Sequence, residues 1–402
     1  MIRAGTIVSI AVALLALPAR AQLTIRVAQL PATTPSGATI HVAGSFNGWD
    51  PAAPRFALAP TPGGGYALTL PDLVRGAIEF KLTLGSWDRV ETNATGGDVP
   101  NRSVTVPATG ADTVDVAVAG WRDGTPRVAR AHTASRSVAI VSDSFAIPQL
   151  GRTRRVWVYL PSGYATSGKR YPVLYMADGQ NVVDDATSFS GEWGVDEALD
   201  SLASQVDRGV IVVAVDHGGA HRLDEYDPWK ATNPKYGGGE GEAYTRFLVE
   251  TLKPYIDAHY RTRPERASTA IAGSSMGGLI SLYAALTRPR VFGRAGVFSC
   301  ACWIARDSLY ALARRFRAPR GEAPQLYFVV GGQETADGEP VRDQDAIVGL
   351  LRAGGFPADS IRALVREDGK HAEWFWRREF PAAYEWMFSV PQRARRARPP
   401  GR

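Results

Sequence analysis

The chain has 402 residues, of which 45% are hydrophobic and 21% are charged; this composition is typical of globular proteins, and the length favours two domains. Its net charge of +6 is uneven, because residues 392–402 hold five Arg, residues 1–21 hold two, and neither segment holds an acid. The remaining body carries a net charge of −1, so it gives no electrostatic reason to expect a nucleic-acid partner. Residues 391–402 are predicted to be a disordered, solvated basic tail.

The N-terminus, residues 1–21, has the pattern of a secretory signal peptide. Arg3 supplies the positive charge, residues 7–17 form an apolar core, and Ala19-Arg20-Ala21 is a small-residue cleavage site. Cleavage before Gln22 predicts a secreted or periplasmic protein with no membrane span after the signal is removed. An uncleaved N-terminal anchor is the alternative.

The two cysteines, Cys300 and Cys302, are separated by a single residue. Two thiols alone can neither build a disulfide framework nor fill a metal site, and a bridge between them would close a tight ring. The sequence therefore predicts two packed thiols in preference to a redox pair. No other cluster of Cys and His suggests a metal, and no cofactor is predicted.

Residues 22–121 consist of short alternating runs separated by Gly-rich turns, with no helical period. This pattern is typical of an all-β sandwich. The predicted strands are residues 39–43, 55–58, 66–70, 77–83, 103–106 and 114–118. Residues 122–137 are polar and aperiodic, and they are predicted to be a linker.

From residue 138 onward, strands alternate with helices, which predicts an α/β domain over residues 138–390 with a mostly parallel sheet and helices on both faces. The predicted strands are residues 155–160, 173–176, 210–215, 270–272, 295–298, 326–330 and 362–365. The predicted helices are residues 195–205, 243–260, 279–287, 343–353 and 380–387.

The most informative motif is a Gly-x-Ser-x-Gly centred on Ser275. It follows an apolar run, residues 269–272, and precedes a helical pattern, so it predicts a nucleophile elbow between a strand and a helix. Gly273 and Gly277 would remove side chains that otherwise collide at the sharp turn. An ordinary Gly/Ser-rich loop is the alternative.

An elbow serine predicts a fixed chain order of Ser, then a carboxylate, then His. His371 alone of the six His follows Ser275, in a turn after the last predicted strand, where it could act as a general base. Glu334 follows the penultimate strand and is the predicted acid partner. Asp337 is the alternative acid.

Two backbone N–H groups are predicted to form an oxyanion hole. Met276 would begin the helix after the serine, and Gln180 lies in a loop after an early strand. Gly179 permits close backbone approach in that loop and is the alternative donor.

The segment Val42-Ala-Gly-Ser-Phe-Asn-Gly-Trp-Asp-Pro51, together with residues 78–82 and 85–91, resembles starch-binding-type carbohydrate modules with an immunoglobulin-like fold. This resemblance covers the whole N-terminal domain. It implies sugar stacking on Trp49 and Trp87, with Lys81 and Asn101 nearby, because flat indoles suit sugar faces. Packing of these aromatic residues and a purely structural role for the domain are the alternatives.

A second resemblance spans residues ~145–390 and is to the putative esterase family of α/β hydrolases, which includes feruloyl, acetyl-xylan and siderophore esterases. The matching motifs, in order, are Asp178-Gly-Gln-Asn181, Gly191-Glu-Trp-Gly-Val-Asp196, Arg222-x-x-Glu-Tyr-Asp-Pro-Trp229, Gly273-Ser-Ser-Met-Gly-Gly278, Gly331-Gly-Gln-Glu334 and His371-x-x-Trp-Phe-Trp376. The pair Cys300 and Cys302 departs from a Ser-Pro or similar pair in many relatives, which leaves the pocket shape there open.

The substrate pocket is predicted to be walled by aromatic residues from these motifs. The candidate residues are Trp193, Tyr226, Trp229 and Trp303, with Arg222 paired to Glu225 to hold its loop. Packing beneath the sheet rim is the alternative for each aromatic residue.

The sequence thus predicts a secreted serine carboxylic-ester hydrolase that forms an acyl-enzyme and acts on a small-molecule or polysaccharide ester, such as an acetyl or feruloyl ester. A siderophore ester is the rival substrate. The same triad could instead transfer the acyl group to a sugar acceptor. A glycan-binding protein with a vestigial hydrolase is the non-enzymatic alternative. The sequence leaves the oligomeric state open.

Overall fold

The computed structural model describes residues 22–388, apart from residues 63, 72–75, 95, 98, 100, 108, 123–129, 190, 204–208, 232–236, 318–322 and 336. The predicted signal peptide and the predicted basic tail lie outside the described residues, as does residue stretch 123–129 of the predicted linker. The chain divides into two compact units, Met1–Val128 and Ala129–Arg402. The domain bounds set from the sequence, 22–121 and 138–390, stay predictions.

The first unit is built of strands. They are β1 (Gln22–Gln29), β2 (His41–Gly44), β3 (Ala59–Pro60), β4 (Tyr66–Thr69), β5 (Gly76–Thr83), β6 (Glu91–Thr92), β7 (Arg102–Val106), β8 (Ala111–Ala117) and β9 (Gly120–Trp121). A four-stranded sheet has the order β3-β4-β1-β8, a three-stranded sheet has the order β2-β5-β7, and β6 pairs with β9. The two larger sheets share one apolar core because alternate residues of β1 and β5, including Ile25, Val27, Phe80 and Leu82, point into it.

The second unit contains an eight-stranded sheet. Its strands are β10 (Val138–Ile147), β11 (Arg152–Tyr159), β12 (Val173–Ala177), β13 (Ile211–Val215), β14 (Thr269–Ser274), β15 (Arg294–Phe298), β16 (Gln325–Gly331) and β17 (Ile361–Arg366). Their order is β10-β11-β13-β12-β14-β15-β16-β17. Strand β11 is antiparallel to both of its neighbours, and all pairs from β13 to β17 are parallel.

Eight α-helices belong to the described part of this unit. They are α1 (Val195–Ala203), α2 (Arg222–Tyr226), α3 (Gly241–Arg246), α4 (Lys253–His259), α5 (Met276–Thr287), α6 (Arg306–Arg315), α7 (Glu339–Ala353) and α8 (Glu373–Phe388). A π-helical segment, Phe247–Leu252, joins α3 to α4, so the helical region predicted at 243–260 is continuous from residue 241 to 259. Among the described residues, no helix is both long and apolar enough to cross a membrane.

Both faces of the large sheet are covered, and β13 shows why. Ile211, Val213 and Val215 belong to one apolar cluster, whereas Val212 and Ala214 belong to the other. Because successive side chains of a strand point to opposite faces, a continuous apolar run fills two cores at once. Helix α5 packs in the first cluster, and α1 and α8 pack in the second. The predicted α/β-hydrolase fold class, with its parallel sheet and a β-rich N-terminal region, is confirmed.

One predicted strand was wrong, and two long strands were not predicted. Residues Pro54–Phe56 form a 3₁₀ turn, so the strand predicted at 55–58 is absent there. Strands β1 and β10 were not predicted. Strand β10 has no buried residue before Ile147, because it lies at the sheet edge and carries Ser142, Asp143 and Ser144 in its middle, and it therefore lacks the alternation that reveals a half-buried strand.

Candidate active site

Ser275 lies at a strained turn between β14 and α5. Its backbone has φ 57° and ψ −122°, a conformation that L-residues rarely adopt, and it is the N-cap of α5. A Cβ on Gly273 would lie 2.7 Å from the Gly277 backbone, and a Cβ on Gly277 would lie 3.1 Å from the Cβ of Ala177. Close approach to backbone therefore requires a glycine at 273 and leaves little room for a side chain at 277, and the turn has the geometry of a nucleophile elbow.

Two backbone hydrogen bonds fix the elbow, one to the end of β15 and one to the loop that follows it. Ser275 N donates to Phe298 O at 3.0 Å, and Ala301 N donates to Ser275 O at 3.0 Å. The loop at residues 299–301 therefore cannot move without disturbing the backbone of Ser275.

The predicted functional residues follow the carboxyl ends of neighbouring parallel strands. Ser275 follows β14, Glu334 follows β16, and His371 follows β17. Gln180 follows β12, which pairs with β14. Loops at the carboxyl ends of parallel strands meet at one edge of the sheet, which is where open α/β sheets bind ligands.

His371 and Glu334 form a direct pair. His371 Nδ1 lies 2.9 Å from Glu334 Oε2, and the Glu334 side chain is 1% exposed. An ionised carboxylate only accepts, so Nδ1 carries the proton and Nε2 is left as a proton acceptor. The imidazole itself is 38% exposed, so a substrate can approach the ring.

This pair controls the protonation of the imidazole. Partial burial would lower the pKa of His371, but the hydrogen bond to Glu334 and the charge of its carboxylate outweigh burial, so the pKa is raised above the ordinary value. The Glu334 carboxylate thereby favours the imidazolium that a general base forms when it takes a proton.

Asp337, the alternative acid, lies in an exposed ion pair. Its side chain is 63% exposed and lies 2.9 Å from Arg342 Nη2. Its other oxygen accepts a hydrogen bond from the Glu339 N–H. The geometry therefore brings Glu334, and not Asp337, to His371.

Ser299, which was not predicted as a functional residue, contacts the predicted acid Glu334. Its hydroxyl donates to Glu334 Oε1 at 2.5 Å, and the Gly331 N–H donates to the same oxygen at 2.7 Å. Trp376 Nε1 in turn donates to Ser299 Oγ at 2.8 Å. Both oxygens of the buried Glu334 carboxylate are thus hydrogen-bonded, which fixes its orientation toward His371.

Trp376 also touches the imidazole. Its ring lies edge-on to His371, with 5.2 Å between the ring centroids. In the sequence, Ser299 is recognisable only as a serine that directly follows a buried strand. Nothing in the sequence indicates that its hydroxyl binds Glu334.

The two predicted oxyanion donors lie at the start of two helical turns. Met276 is the first residue of α5, so its N–H has no acceptor within the helix. In the turn after β12, Asn181 N donates to Asp178 O, so the internal bonds begin one residue after Gln180. A Cβ on Gly277 would lie 3.2 Å from Asp178 Oδ2, so the two turns lie against each other.

The turn that carries Gln180 is tightly built. Asp178 has φ 58°, and a Cβ on Gly179 would lie 2.8 Å from the backbone of Val215. The Gln180 side chain accepts a hydrogen bond from His217 N at 3.2 Å. These contacts leave little freedom in the direction of the Gln180 N–H.

Arg222 pairs with Asp178 through two parallel bonds, Nε to Oδ1 at 2.7 Å and Nη2 to Oδ2 at 2.8 Å. The predicted pair between Arg222 and Glu225 was wrong. Glu225 is fully buried and binds Arg152 and Arg154 of β11 instead. Residues three apart on a short helix could meet, but the buried carboxylate faces the sheet, where two guanidinium groups are nearer.

The predicted aromatic pocket residues divide into two groups. Trp193 and Tyr226 are 3% and 0% exposed, so they pack in the core and offer almost no surface to a substrate. The Tyr226 hydroxyl accepts a hydrogen bond from Asp178 N at 3.1 Å, which supports the turn before Gln180. Trp229 is half-buried against Tyr283, and Trp303 is 37% exposed.

The two cysteines form a disulfide, with 5.1 Å between the Cα atoms of Cys300 and Cys302, so the prediction of two packed thiols was wrong. The distance lies within the range that a disulfide can span. The turn after β15, with Ser299 at φ 43°, brings the two sulfur atoms together around Ala301. Because Ala301 N binds Ser275 O, the disulfide closes the loop that supports the elbow.

In the first unit, the predicted sugar-binding residues include two neighbouring indoles. Trp49 and Trp87 are both half-buried, and their ring centroids are 6.4 Å apart at an angle of 39°. Asn101 is exposed and donates to Glu79 Oε2 at 3.1 Å. Lys81 is half-buried on β5.

Residues 147–387 match the family described as "Putative esterase", and the chain belongs to this family. The predicted resemblance to it is confirmed. Membership of this family supports an α/β-hydrolase fold, and it supports the hydrolysis of carboxylic esters as the activity.

Two curated relatives are similar to parts of the chain. An alpha-amylase of Niallia circulans is 42% identical over 106 residues, which are 26% of this chain and 8% of the amylase. An endo-1,4-beta-xylanase/feruloyl esterase of Xylanibacter ruminicola (strain ATCC 19189) is 28% identical over 232 residues, which are 57% of this chain and 28% of that protein. The chain thus spans less than a third of the length of either relative.

Among solved structures, the enterobactin esterase FES from Shigella flexneri, crystallised in the presence of enterobactin, is similar with a TM-score of 0.50 and 16% identity. The similarity covers 87% of this chain and 88% of that chain. At this level of identity the similarity concerns the fold.

Proposed function

We propose that this protein is a secreted serine esterase that hydrolyses carbohydrate-linked carboxylic esters through an acyl-enzyme on Ser275. The observation that carries the proposal is the 2.9 Å contact between His371 Nδ1 and the buried Glu334, on the sheet edge that also carries the strained Ser275 turn. A hydroxyl at an elbow, an imidazole after the last strand and an orienting carboxylate are the three parts of such a mechanism.

In the acylation step, Ser275 Oγ attacks the ester carbonyl carbon while His371 Nε2 takes the hydroxyl proton. Glu334 keeps Nδ1 protonated and stabilises the imidazolium that forms. The carbonyl oxygen becomes an oxyanion and accepts hydrogen bonds from the N–H groups of Met276 and Gln180. Collapse of the tetrahedral intermediate breaks the bond to the leaving alcohol, and His371 gives the alcohol its proton.

In the deacylation step, His371 takes a proton from a water molecule that attacks the acyl carbonyl carbon. The same two N–H groups stabilise the second oxyanion, and the ester bond to Ser275 breaks. Ser275 recovers its proton from His371, so the enzyme returns to its starting state with no cofactor consumed.

The proposed substrate is an acetyl or feruloyl ester of a polysaccharide. Two observations support this choice: the paired, half-buried indoles of Trp49 and Trp87 suit a sugar face, and one relative is described as a feruloyl esterase. A siderophore ester is the second candidate, because the FES structure shares the fold. Acyl transfer to a sugar uses the same residues, and a vestigial hydrolase that only binds glycan is the non-enzymatic alternative.

Two observations support the proposed location of the protein outside the cytoplasm. Residues 1–21 have the pattern of a signal peptide, and the disulfide between Cys300 and Cys302 suits an oxidising compartment. Sequencing the N-terminus of the protein recovered from the culture medium or periplasm tests it. A chain beginning at Gln22 is the expected result, and a chain beginning at Met1 would contradict it.

The reaction class is tested by a substrate panel of 4-nitrophenyl acetate, methyl ferulate, acetylated xylan and a catecholate siderophore. Wild type, Ser275→Ala and the adjacent control Ser274→Ala are compared. We expect Ser275→Ala to lose activity by several orders of magnitude and Ser274→Ala to retain it. Unchanged turnover in Ser275→Ala would reject the nucleophile, and an acylated sugar formed on addition of oligosaccharide would identify a transferase.

Glycan binding is tested by polysaccharide pull-down of Trp49→Ala and Trp87→Ala. Trp374→Ala removes an indole that is 47% exposed in the second unit and serves as the control. We expect retention to fall in the first two variants only. Equal retention in all three, or none by wild type, would contradict a sugar-binding role for the indole pair.

A further inference from the structure

Three carboxylates that the proposed reaction does not use converge at the start of α1. Glu192, Asp196 and Glu197 each offer an oxygen atom, and these atoms all lie within 4.8 Å of one another. Glu192 belongs to the loop before the helix, and Asp196 and Glu197 belong to its first turn. No metal site was predicted here, because the cluster contains neither Cys nor His and consists of oxygen donors alone.

The cluster is buried and only partly hydrogen-bonded. Asp196 is fully buried and Glu192 is 6% exposed. Asp196 Oδ2 accepts a hydrogen bond from Ser135 N at 2.7 Å. The opposite oxygen, Asp196 Oδ1, is a buried atom with no hydrogen-bond partner among the described residues, and so are Glu192 Oε2 and Glu197 Oε2. A buried polar oxygen without a donor is costly, and three in one place call for a common partner.

The protein supplies little positive charge to these carboxylates. Arg377 Nη1 lies 3.5 Å from Glu192 Oε1, and the Arg377 side chain is 48% exposed, so it compensates one carboxylate in part. The positive end of α1 adds a fraction of a charge. Carboxylates brought together out of water must either bind a cation or take up protons.

Proton uptake is the competing solution. Burial and the neighbouring Glu197 carboxylate raise the pKa of Asp196 to about 7, so a shared proton could relieve the cluster in part. A proton shared between two carboxylates satisfies only that pair, so protons alone would relieve this cluster only if more than one were taken up, whereas a single cation contacts all three converging oxygen atoms.

We propose that Glu192, Asp196 and Glu197 hold a divalent cation, and that the cation is Ca²⁺. Donors that are all oxygen select hard cations over zinc, copper or iron. Oxygen atoms that lie within 4.8 Å of one another fit a Ca²⁺ coordination shell, whose diameter is ~4.6–5.2 Å. Ca²⁺ also accepts several carboxylates in a flexible geometry, whereas Mg²⁺ gives up its water reluctantly and is seldom held by a buried, all-protein set of ligands. Backbone carbonyls or water would complete the shell.

The cation would stabilise residues that pack against the candidate active site. Trp193 stands between Glu192 and Asp196 in the chain, and its ring centroid lies 5.7 Å from that of Trp376. Trp376 donates to Ser299, which donates to Glu334. A cation that fixes the segment from Glu192 to Asp196 would therefore hold the packing behind Trp376 in place.

Calorimetric titration of the chelator-stripped full-length protein with CaCl₂ tests the proposal. Wild type, Asp196→Asn and Glu197→Gln are compared with Glu250→Gln, which removes the same charge from an exposed pair with Arg246. We expect saturable binding and a higher thermal midpoint with Ca²⁺ in wild type and Glu250→Gln, and at least tenfold weaker binding in the other two. Glu197 is half-buried, so its variant remains informative if Asp196→Asn fails to fold.

Terbium luminescence gives an independent readout, because an excited indole transfers energy to a nearby Tb³⁺ ion and Trp193 adjoins the cluster. Emission that Ca²⁺ displaces and that Asp196→Asn and Glu197→Gln both lose would support the site. Absence of saturable Ca²⁺ binding in wild type, or equal binding in the cluster variants and Glu250→Gln, would overturn it. Tighter binding of Mg²⁺ than of Ca²⁺ would overturn the choice of cation. None of these readouts depends on ester hydrolysis.

Discussion

The Ser299 hydroxyl donates a hydrogen bond of 2.5 Å to Glu334 Oε1, on the side of the carboxylate opposite His371. Ser299 is fixed in turn by Trp376, whose indole N–H donates to it. Glu334 therefore reaches His371 from a buried, fully hydrogen-bonded position. Because Ser299 contacts Glu334, we predict that it acts as a positioning residue.

We expect Ser299→Ala to lower kcat by about tenfold with a smaller change in KM, because an imperfectly held carboxylate orients the imidazole poorly in the transition state. Steady-state kinetics with 4-nitrophenyl acetate would measure the changes in kcat and KM separately. Ser268→Ala is the control, since its hydroxyl also donates to a glutamate, Glu265, at 2.7 Å. Equal effects of the two substitutions would mean that the loss reflects general stability.

We expect Glu334→Gln to lower kcat by roughly 10³–10⁴ and to shift the pH profile. Glu334 raises the pKa of His371, so its removal lowers that pKa, and the imidazole stays in its basic form to lower pH. The acidic limb of kcat/KM should therefore move to lower pH. Asp337→Asn should leave both kcat and the acidic limb of kcat/KM unchanged. If Asp337→Asn lost activity and Glu334→Gln did not, Asp337 would be the triad acid.

We expect Arg222→Met to lower kcat by up to about 10². Arg222 holds Asp178 through two hydrogen bonds, and Asp178 lies two residues before Gln180. Loss of these bonds should therefore displace the Gln180 N–H, which is the proposed oxyanion donor. Arg246→Met, which breaks an exposed ion pair, is the control. A rise in KM with unchanged kcat would show that Arg222 serves substrate binding instead.

We expect reduction of the disulfide between Cys300 and Cys302 to lower the free energy of unfolding by about 1–2 kcal/mol, because the closed loop is short. Activity should also fall, since Ala301 N binds the Ser275 backbone. Thermal unfolding and kinetics with and without a reducing agent would measure both effects. The double variant Cys300→Ala/Cys302→Ala should not respond to the reducing agent, and an equal response would place the effect elsewhere.

Much of the fold could be predicted from the sequence because its signals are local. The run from Thr269 to Gly277 predicts strand, turn and helix, and β14 and α5 meet at Ser275 as expected. The buried strands β12, β13 and β16 are continuous apolar runs. Strand β10 escaped prediction because its polar residues break the alternation.

The candidate site could be predicted only in part, because its supporting contacts join distant segments. Nothing local pairs Ser299 with Glu334, or Asp178 with Arg222, since each pair depends on the order of the strands. Burial decides whether Trp193 and Tyr226 line a pocket or a core, and burial is a property of the whole fold. The roles assigned to Ser275, His371 and Glu334 stay predictions for the experiments above.

The most direct measurement is the mass-spectrometric mapping of a fluorophosphonate label, which forms a covalent bond only with an activated serine. We expect one adduct, on the peptide that contains Ser275, in wild type and in Ser274→Ala, and no adduct in Ser275→Ala. Slower labelling of Glu334→Gln would connect the reactivity to His371. An active enzyme that is labelled at another serine, or not at all, would contradict the account.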